Sequence, residues 1–332
     1  MKANETKLVR IIEGTNQYLV PHFQRPYTWQ RKNWDALWTD IEALIAPQEE
    51  ENAELAPPEK EKASVIPREH FMGAIVTAPA HSVPEGVTKY LLIDGQQRLT
   101  TLLILLAAIR DRARQVEDQK LASRVHELYL TNRYQDGQDQ YKLLPTQGDE
   151  PKHNDRAAFK MLIDAPEGLH PTSALGAAYQ HFLRSLRTYE ADRLGLLANA
   201  VLGHVCLVSI VLERDDNPYA IFESLNAKGQ PLSQADLVRN FFFMSIDSAR
   251  HDDIHAKKWT PMERAIGREN MEAFIRHFLI RRGTLVKESE VYFTLKKEVE
   301  GRGRDHAERM LDELVRTSSH YVKFRSFRES CG

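Results

Sequence analysis

The strongest constraint on how this chain can fold is a single stretch, Leu91-Leu92-Ile93-Asp94-Gly95-Gln96-Gln97-Arg98-Leu99-Thr100-Thr101-Leu102. An apolar strand runs into a glycine and straight out into a helix. On that helix Leu99, Leu102, Leu103, Leu106 and Ile109 recur at three-and-four spacing. So leucine-rich a helix has to be buried, and its burial fixes the turn that precedes it. The turn therefore holds one carboxylate, two amides and one guanidinium on rigid backbone. The polar run Arg110, Asp111, Arg112, Arg114 is expected to form the solvated face of the same helix.

Around this stretch the chain reads as an α+β fold: a small β core with early helices, followed by a mainly helical region. Residues 5–13 are expected as a short helix ending at Gly14, and Gln17 to Pro21 as a strand. Thr28 is the expected cap of a helix carrying Trp34, Leu37, Trp38, Ile41, Leu44 and Ile45. Residues 46–67, with four prolines and a glutamate run, are expected to be a flexible acidic loop. Strands over 71–77 and 89–93 form a hairpin into the central turn. Helices are expected at 121–134, 154–164, 173–189 and 191–202, with a short strand at 141–144 and a buried one at 204–212. Asn217 is expected to cap a short helix ended by Gly229. Ser233 and Asp236 form a capping box opening a helix over 233–249, and further helices follow at 260–281, 287–299 and 304–323. The expected domains are 1–135 and 136–332.

Charge and cysteine content narrow the function classes. The net charge is −2, but residues 47–63 hold six Glu and two Lys, so the remainder is weakly basic at +2. That permits local contact with nucleic acid without requiring it. The only cysteines, Cys206 and Cys331, lack CxxC spacing, which argues against a disulfide scaffold or a cysteine zinc site and fits a cytoplasmic protein. No apolar run reaches the ~18 residues of a membrane span, so no membrane partner is expected.

Three segments carry chemistry. At Asp94 to Arg98, Gly95 allows a tight turn, the amides of Gln96 and Gln97 lie at a helix N-terminus that favours an anion, and Arg98 can grip phosphate. Asp94 could hold a divalent ion or orient a water. The same residues read equally well as a capped helix with an Asp–Arg pair. Gln24, Arg25, Pro26, Tyr27, Thr28 and Trp29 offer a rigid aromatic–proline surface beside a guanidinium, suited to stacking a base or to core packing. Asn226, Lys228, Asp236 and Arg239 cluster around a turn and a helix start, where capping alone accounts for them. His251 and His255 are spaced i, i+4 but lack the glutamate of a zinc protease motif, and they read as a solvated helix end. No GxxxxGK[ST], GxGxxG or GxSxG occurs, so a nucleotide site here has to be of a different kind.

Taken together, Pro21 to Trp29, Asp94 to Arg98 and Phe222 to Asn240 resemble the N-terminal domain of GmrSD-type, modification-dependent restriction and anti-phage defence proteins. The resemblance implies a ParB/sulfiredoxin-like β core. It implies hydrolysis of a nucleoside triphosphate, GTP or another, by Asp94, Gln96, Gln97 and Arg98. Gly95, Arg25, Asn226, Lys228 and Arg239 would contact the nucleotide, and Asp94 would hold Mg2+. It implies DNA as partner, sensed through Gln24, Arg25, Pro26, Tyr27 and Trp29, with phosphorothioate or modified cytosine as the altered group. More narrowly the motifs are similar to the phosphorothioate-sensing SspE branch. Longer relatives continue into a C-terminal His-Asn-His (HNH) nicking nuclease, which is not among these residues. Monomer and homodimer are both left open, and a non-catalytic modification reader is the alternative function.

Overall fold

The computed structural model describes residues 2–21, 24–53, 69–80, 86–145, 154–213, 216, 233–246, 250–283 and 285–330. The chain divides into two compact units, Met1–Pro21 with Pro26–Asp216, and His22–Arg25 with Asn217–Gly332. The division after Asp216 falls well beyond the boundary expected at 135, because β5 and the helices over 155–203 complete the first unit.

In the first unit six strands form one mixed sheet in the order β1-β6-β3-β4-β2-β5. They are β1 (Lys2–Lys7), β2 (Asn16–Leu19), β3 (His70–Pro79), β4 (Thr88–Asp94), β5 (Leu143–Leu144) and β6 (Val205–Val211). The β1/β6 and β3/β4 pairs are antiparallel, whereas β6/β3, β4/β2 and β2/β5 are parallel. The apolar strands β4 and β6 lie inside the sheet, as their composition requires. The N-terminus departs from expectation. Lys2–Lys7 is a strand, and only Leu8–Ile12 (α1) is helical. The ladder offered by β6, from Lys2↔Val211 to Cys206↔Lys7, outweighs the weak local helix preference of this polar segment.

Helix α2 (Arg31–Ala53) begins after Thr28, so Thr28 is not its cap. It also runs through residues 46–53, the first part of the expected acidic loop, while 54–67 lie outside the described residues. Helix α3 (Gln96–Gln115) is the centre of the unit, and α4 (Gln119–Val125), α5 (Asp155–Asp164), α6 (Ala174–Ser185) and α7 (Ala191–Gly203) pack around it. Leu99, Leu102, Leu103, Leu106 and Ile109 are fully buried, each contributing roughly 1.5–3 kcal/mol. Asp118, Asn154 and Ser173 cap α4, α5 and α6 through their side chains. The α4 helix continues as a π turn over His126–Leu130, a little shorter than expected.

The polar run at the end of α3 is a solvated face only in part: Arg114 is exposed and Arg112 half-buried, but the first two residues lie inside. Arg110 is fully buried and Asp111 nearly so. Arg110 grips Asp111 with two bonds of 2.8 Å and donates to the Leu162 and Ile163 carbonyls at 3.0 and 2.9 Å. Asp111 also accepts from Arg114 at 3.0 Å and from Tyr179 at 2.9 Å. The guanidinium thus satisfies the open carbonyls at the end of α5, which burial by α6 leaves out of reach of water.

The second unit is helical among its described residues: α8 (Gln234–Ser245), α9 (His251–Ile254), a π turn (His255–Trp259), α10 (Thr260–Ile266), α11 (Met271–Arg281), α12 (Val291–Val299) and α13 (Arg304–Ser330). Phe242, Trp259, Phe274, Phe278, Tyr292 and Leu311 form its separate core. The capping residue Ser233 accepts from the Asp236 N–H at 3.1 Å, as the pattern requires. The helix expected over 260–281 is broken at Gly267, whose φ of +83° no right-handed helix accommodates. His255 is half-buried against the Phe243 ring, so the second histidine of that pair is only partly solvated. No helix among the described residues is long and apolar enough to cross a membrane.

Candidate active site at the β4–α3 turn

β4 ends at Asp94, opposite Val76 of β3, where the β3/β4 register shifts between Val76 and Thr77. Gly95 then sits at φ +91° as the residue preceding α3. A Cβ here would lie 2.6 Å from Ile75 Cγ2 and 3.1 Å from the Ala74 carbonyl oxygen. Both the backbone angle and the close approach of β3 therefore require glycine. This turn delivers Asp94, Gln96, Gln97 and Arg98 to the carboxyl end of a central strand and the open N-terminus of a twenty-residue helix.

The four side chains have different surroundings. Arg98 lies along β3: its Nη1 donates to the Ala74 carbonyl, and its Nη2 is 3.7 Å from the Asp94 carboxylate. It passes over Gly73, whose φ of +101° favours glycine and whose Cβ position lies in van der Waals range, 3.4 Å, of the Arg98 guanidinium carbon. Asp94 is half-buried, and this loose ion pair is the one contact its carboxylate makes among the described residues. Gln96 is 8% exposed, and its amide makes no hydrogen bond among the described residues. Gln97 is fully engaged. Its Oε1 accepts from the Thr28 N–H at 2.8 Å and the Trp29 N–H at 3.3 Å, and its Nε2 donates to the Pro26 carbonyl at 3.0 Å. Gln97, read from sequence as catalytic, is instead the clamp that holds residues 26–29 on α3.

The clamp brings two of the three motif segments together, with a correction to the aromatic one. Tyr27 is buried. Its hydroxyl accepts from Trp34 Nε1 at 2.9 Å and bonds Thr101 Oγ1 at 2.7 Å, and Thr101 in turn donates to the Gln97 carbonyl at 2.7 Å. Burial raises the Tyr27 phenol above its ordinary range. With its ring in the core and its hydroxyl committed, Tyr27 has no face to offer a base. Pro26 and Trp29 are only half-buried. The Tyr27 N–H donates to Asp155 Oδ2 at 2.6 Å, and burial pushes that carboxyl up to about 6.

Gln24 is buried and Arg25 half-buried; both have partners, and both group with the second unit. In the second unit Arg239 is 5% exposed and lies 3.1 Å from Asp236 and 3.9 Å from Glu263, so its charge is matched within its own helical core. Asn226 and Lys228, together with the expected cap Asn217 and stop Gly229, lie outside the described residues. Three contributors escaped the sequence reading. Gly73 carried a usable signal, an isolated glycine inside a strand pattern. Thr101 and Asp155 carried none, since a threonine on a leucine helix and an aspartate in a first helical turn are ordinary.

A carboxylate, an amide without a hydrogen bond among the described residues and a guanidinium at one helix N-terminus can bind an anion and position water beside it. The family model for the GmrSD restriction endonuclease N-terminal domain matches residues 8–243. No curated protein matches the chain. That match takes in every strand of the sheet except β1, the β4–α3 turn and all three motif segments, and the chain accordingly belongs to the GmrSD restriction endonuclease N-terminal domain family.

Proposed function

We propose that the first unit hydrolyses a nucleoside triphosphate at the β4–α3 turn, as part of a restriction protein acting in anti-phage defence. The observation that carries this reading is the pair of polar groups left open there. Gln96 is buried without a hydrogen bond among the described residues, and Asp94 has only an ion pair of 3.7 Å. The Gln96 amide atoms keep some access to solvent, so they can take up a bound water or ligand at the mouth of the turn. In this reading Arg98 and the first N–H groups of α3 hold phosphate oxygens, and Gln96 orients the attacking water. One half-buried carboxylate fits Mg2+, which takes few protein ligands and completes its shell with phosphates and water. Asp94 would hold that ion, and the ion would supply charge neutralisation on the phosphates.

Membership in a restriction endonuclease family favours DNA as the partner whose presence regulates this step. Pro26 and Trp29, still partly exposed and held by Gln97, are the apolar groups available for sensing an altered backbone or base. The test is triphosphate hydrolysis with and without phosphorothioate DNA and DNA with modified cytosine. Arg98→Ala and Gln96→Ala are expected to lower turnover by at least about a hundredfold. Turnover unchanged in both variants refutes the assignment.

A further inference from the structure

A second concave site lies away from the β4–α3 turn, between the N-terminal part of α2 and the outer face of α6. It encloses about 1020 Å³. Its floor carries the exposed edges of Trp34, 7% exposed, and His181, whose rings lie 5.6 Å apart, tilted at 43°. Arg31 and Arg184 stand over it from the two helices, and Gln180 and Glu167 complete the polar lining. The charges are only partly matched. Arg31 Nε is 3.5 Å from Asp35, and His181 Nε2 is 3.6 Å from the same carboxylate. Arg184, Gln180 and Glu167 have no side-chain partner among the described residues. His181 Nε2 is buried and makes no hydrogen bond.

We infer that this cleft binds a small phosphorylated ligand of nucleoside-phosphate size, with the phosphate on Arg31 and Arg184 and the base edge on Gln180 and Glu167, over the exposed edges of Trp34 and His181. Two guanidiniums that line one cleft from separate helices are a donor set suited to phosphate. Glu167 and Gln180 supply an acceptor and an amide for the amino or amide edge of a base. The same Glu167, with Asp35 beside it, works against a long polyanion, so a duplex backbone is the poorer occupant. The volume lies at the upper end of the range for small-ligand sites.

His181 adds a second readout. Burial, Arg184 and Arg31 all lower its proton affinity, and Asp35 opposes them. Glu167, the remaining charge in the lining, favours the protonated ring as Asp35 does. A phosphate dianion between the two arginines offsets their effect, so binding is accompanied by proton uptake at His181 at mildly acidic pH.

The experiment is calorimetric titration of the protein with guanosine and adenosine 5′-monophosphate, inorganic phosphate and a short DNA duplex, in parallel with histidine-detected NMR. A nucleoside monophosphate is expected to bind and to shift the His181 resonances. Arg184→Ala, at an exposed unpaired position, is expected to weaken binding about tenfold or more with the melting temperature unchanged. Arg31→Ala is expected to act likewise, whereas Arg98→Ala should leave this binding intact, which separates the site from the β4–α3 turn. The inference is overturned by wild-type affinity in both Arg184→Ala and Arg31→Ala, by inorganic phosphate binding as tightly as the nucleotides, by a duplex binding more tightly than either, or by His181 resonances that do not move.

Discussion

Asp155→Asn isolates the cost of holding the 26–29 segment in place. Asp155 is 7% exposed, at the first position of α5, and its Oδ2 accepts the Tyr27 N–H at 2.6 Å. Burial outweighs that hydrogen bond and moves the carboxyl from its ordinary 3.8 up to about 6. Because the folded value is the higher one, the folded chain retains the proton across this window and the unfolded chain releases it. The group's contribution to stability is therefore full below pH 3.8 and is lost as pH rises through about 6. At 1.36 kcal/mol per unit the loss is about 3 kcal/mol, and the α5 dipole, which favours an anion at this end, reduces it to about 2 kcal/mol. Asparagine keeps the acceptor for Tyr27 and never ionises. Urea unfolding of the two proteins should therefore agree near about pH 4 and diverge above about pH 6, with Asp155→Asn the more stable by about 2 kcal/mol at about pH 8. A variant that is less stable at the higher pH, or a difference independent of pH, refutes the reasoning.

Other substitutions test the remaining supports. Gly95→Ala forces a Cβ within 2.6 Å of Ile75 Cγ2 at a φ of +91°, and a loss of about 2–4 kcal/mol in denaturant unfolding is expected. Gln97→Ala removes three bonds to residues 26–29 and should cost about 2–4 kcal/mol, whereas Gln96→Ala should cost less than about 1 kcal/mol; equal losses in the two would contradict their assigned surroundings. Arg110→Met leaves Asp111 buried and two α5 carbonyls without donors, so calorimetry should register a loss of about 3–5 kcal/mol.

The β4–α3 junction was legible before any coordinates because its constraints are local. An apolar run, a glycine and a three-and-four leucine stripe each dictate backbone geometry within a few residues, and α3, β4 and β6 follow from them. The capping signal at Ser233 is local in the same way. What stayed hidden depends on partners distant in the chain. Lys2–Lys7 becomes a strand because β6 lies open beside it, and Arg110 is buried because α5 ends against it. Charge alone cannot distinguish a guanidinium that serves two carbonyls from one that faces water.

The same division runs through the site. Sequence alone determined that Asp94, Gly95, Gln96, Gln97 and Arg98 sit on a rigid strand-to-helix turn, since glycine and helix burial leave little other choice. Only the tertiary structure decided how the two adjacent glutamines divide. A helix sends neighbouring side chains about 100° apart, so Gln97 meets the backbone of residues 26–29 while Gln96 has no hydrogen bond among the described residues. It was the tertiary structure, too, that placed Tyr27 in the core, because only packing brings Trp34 and Thr101 to its hydroxyl.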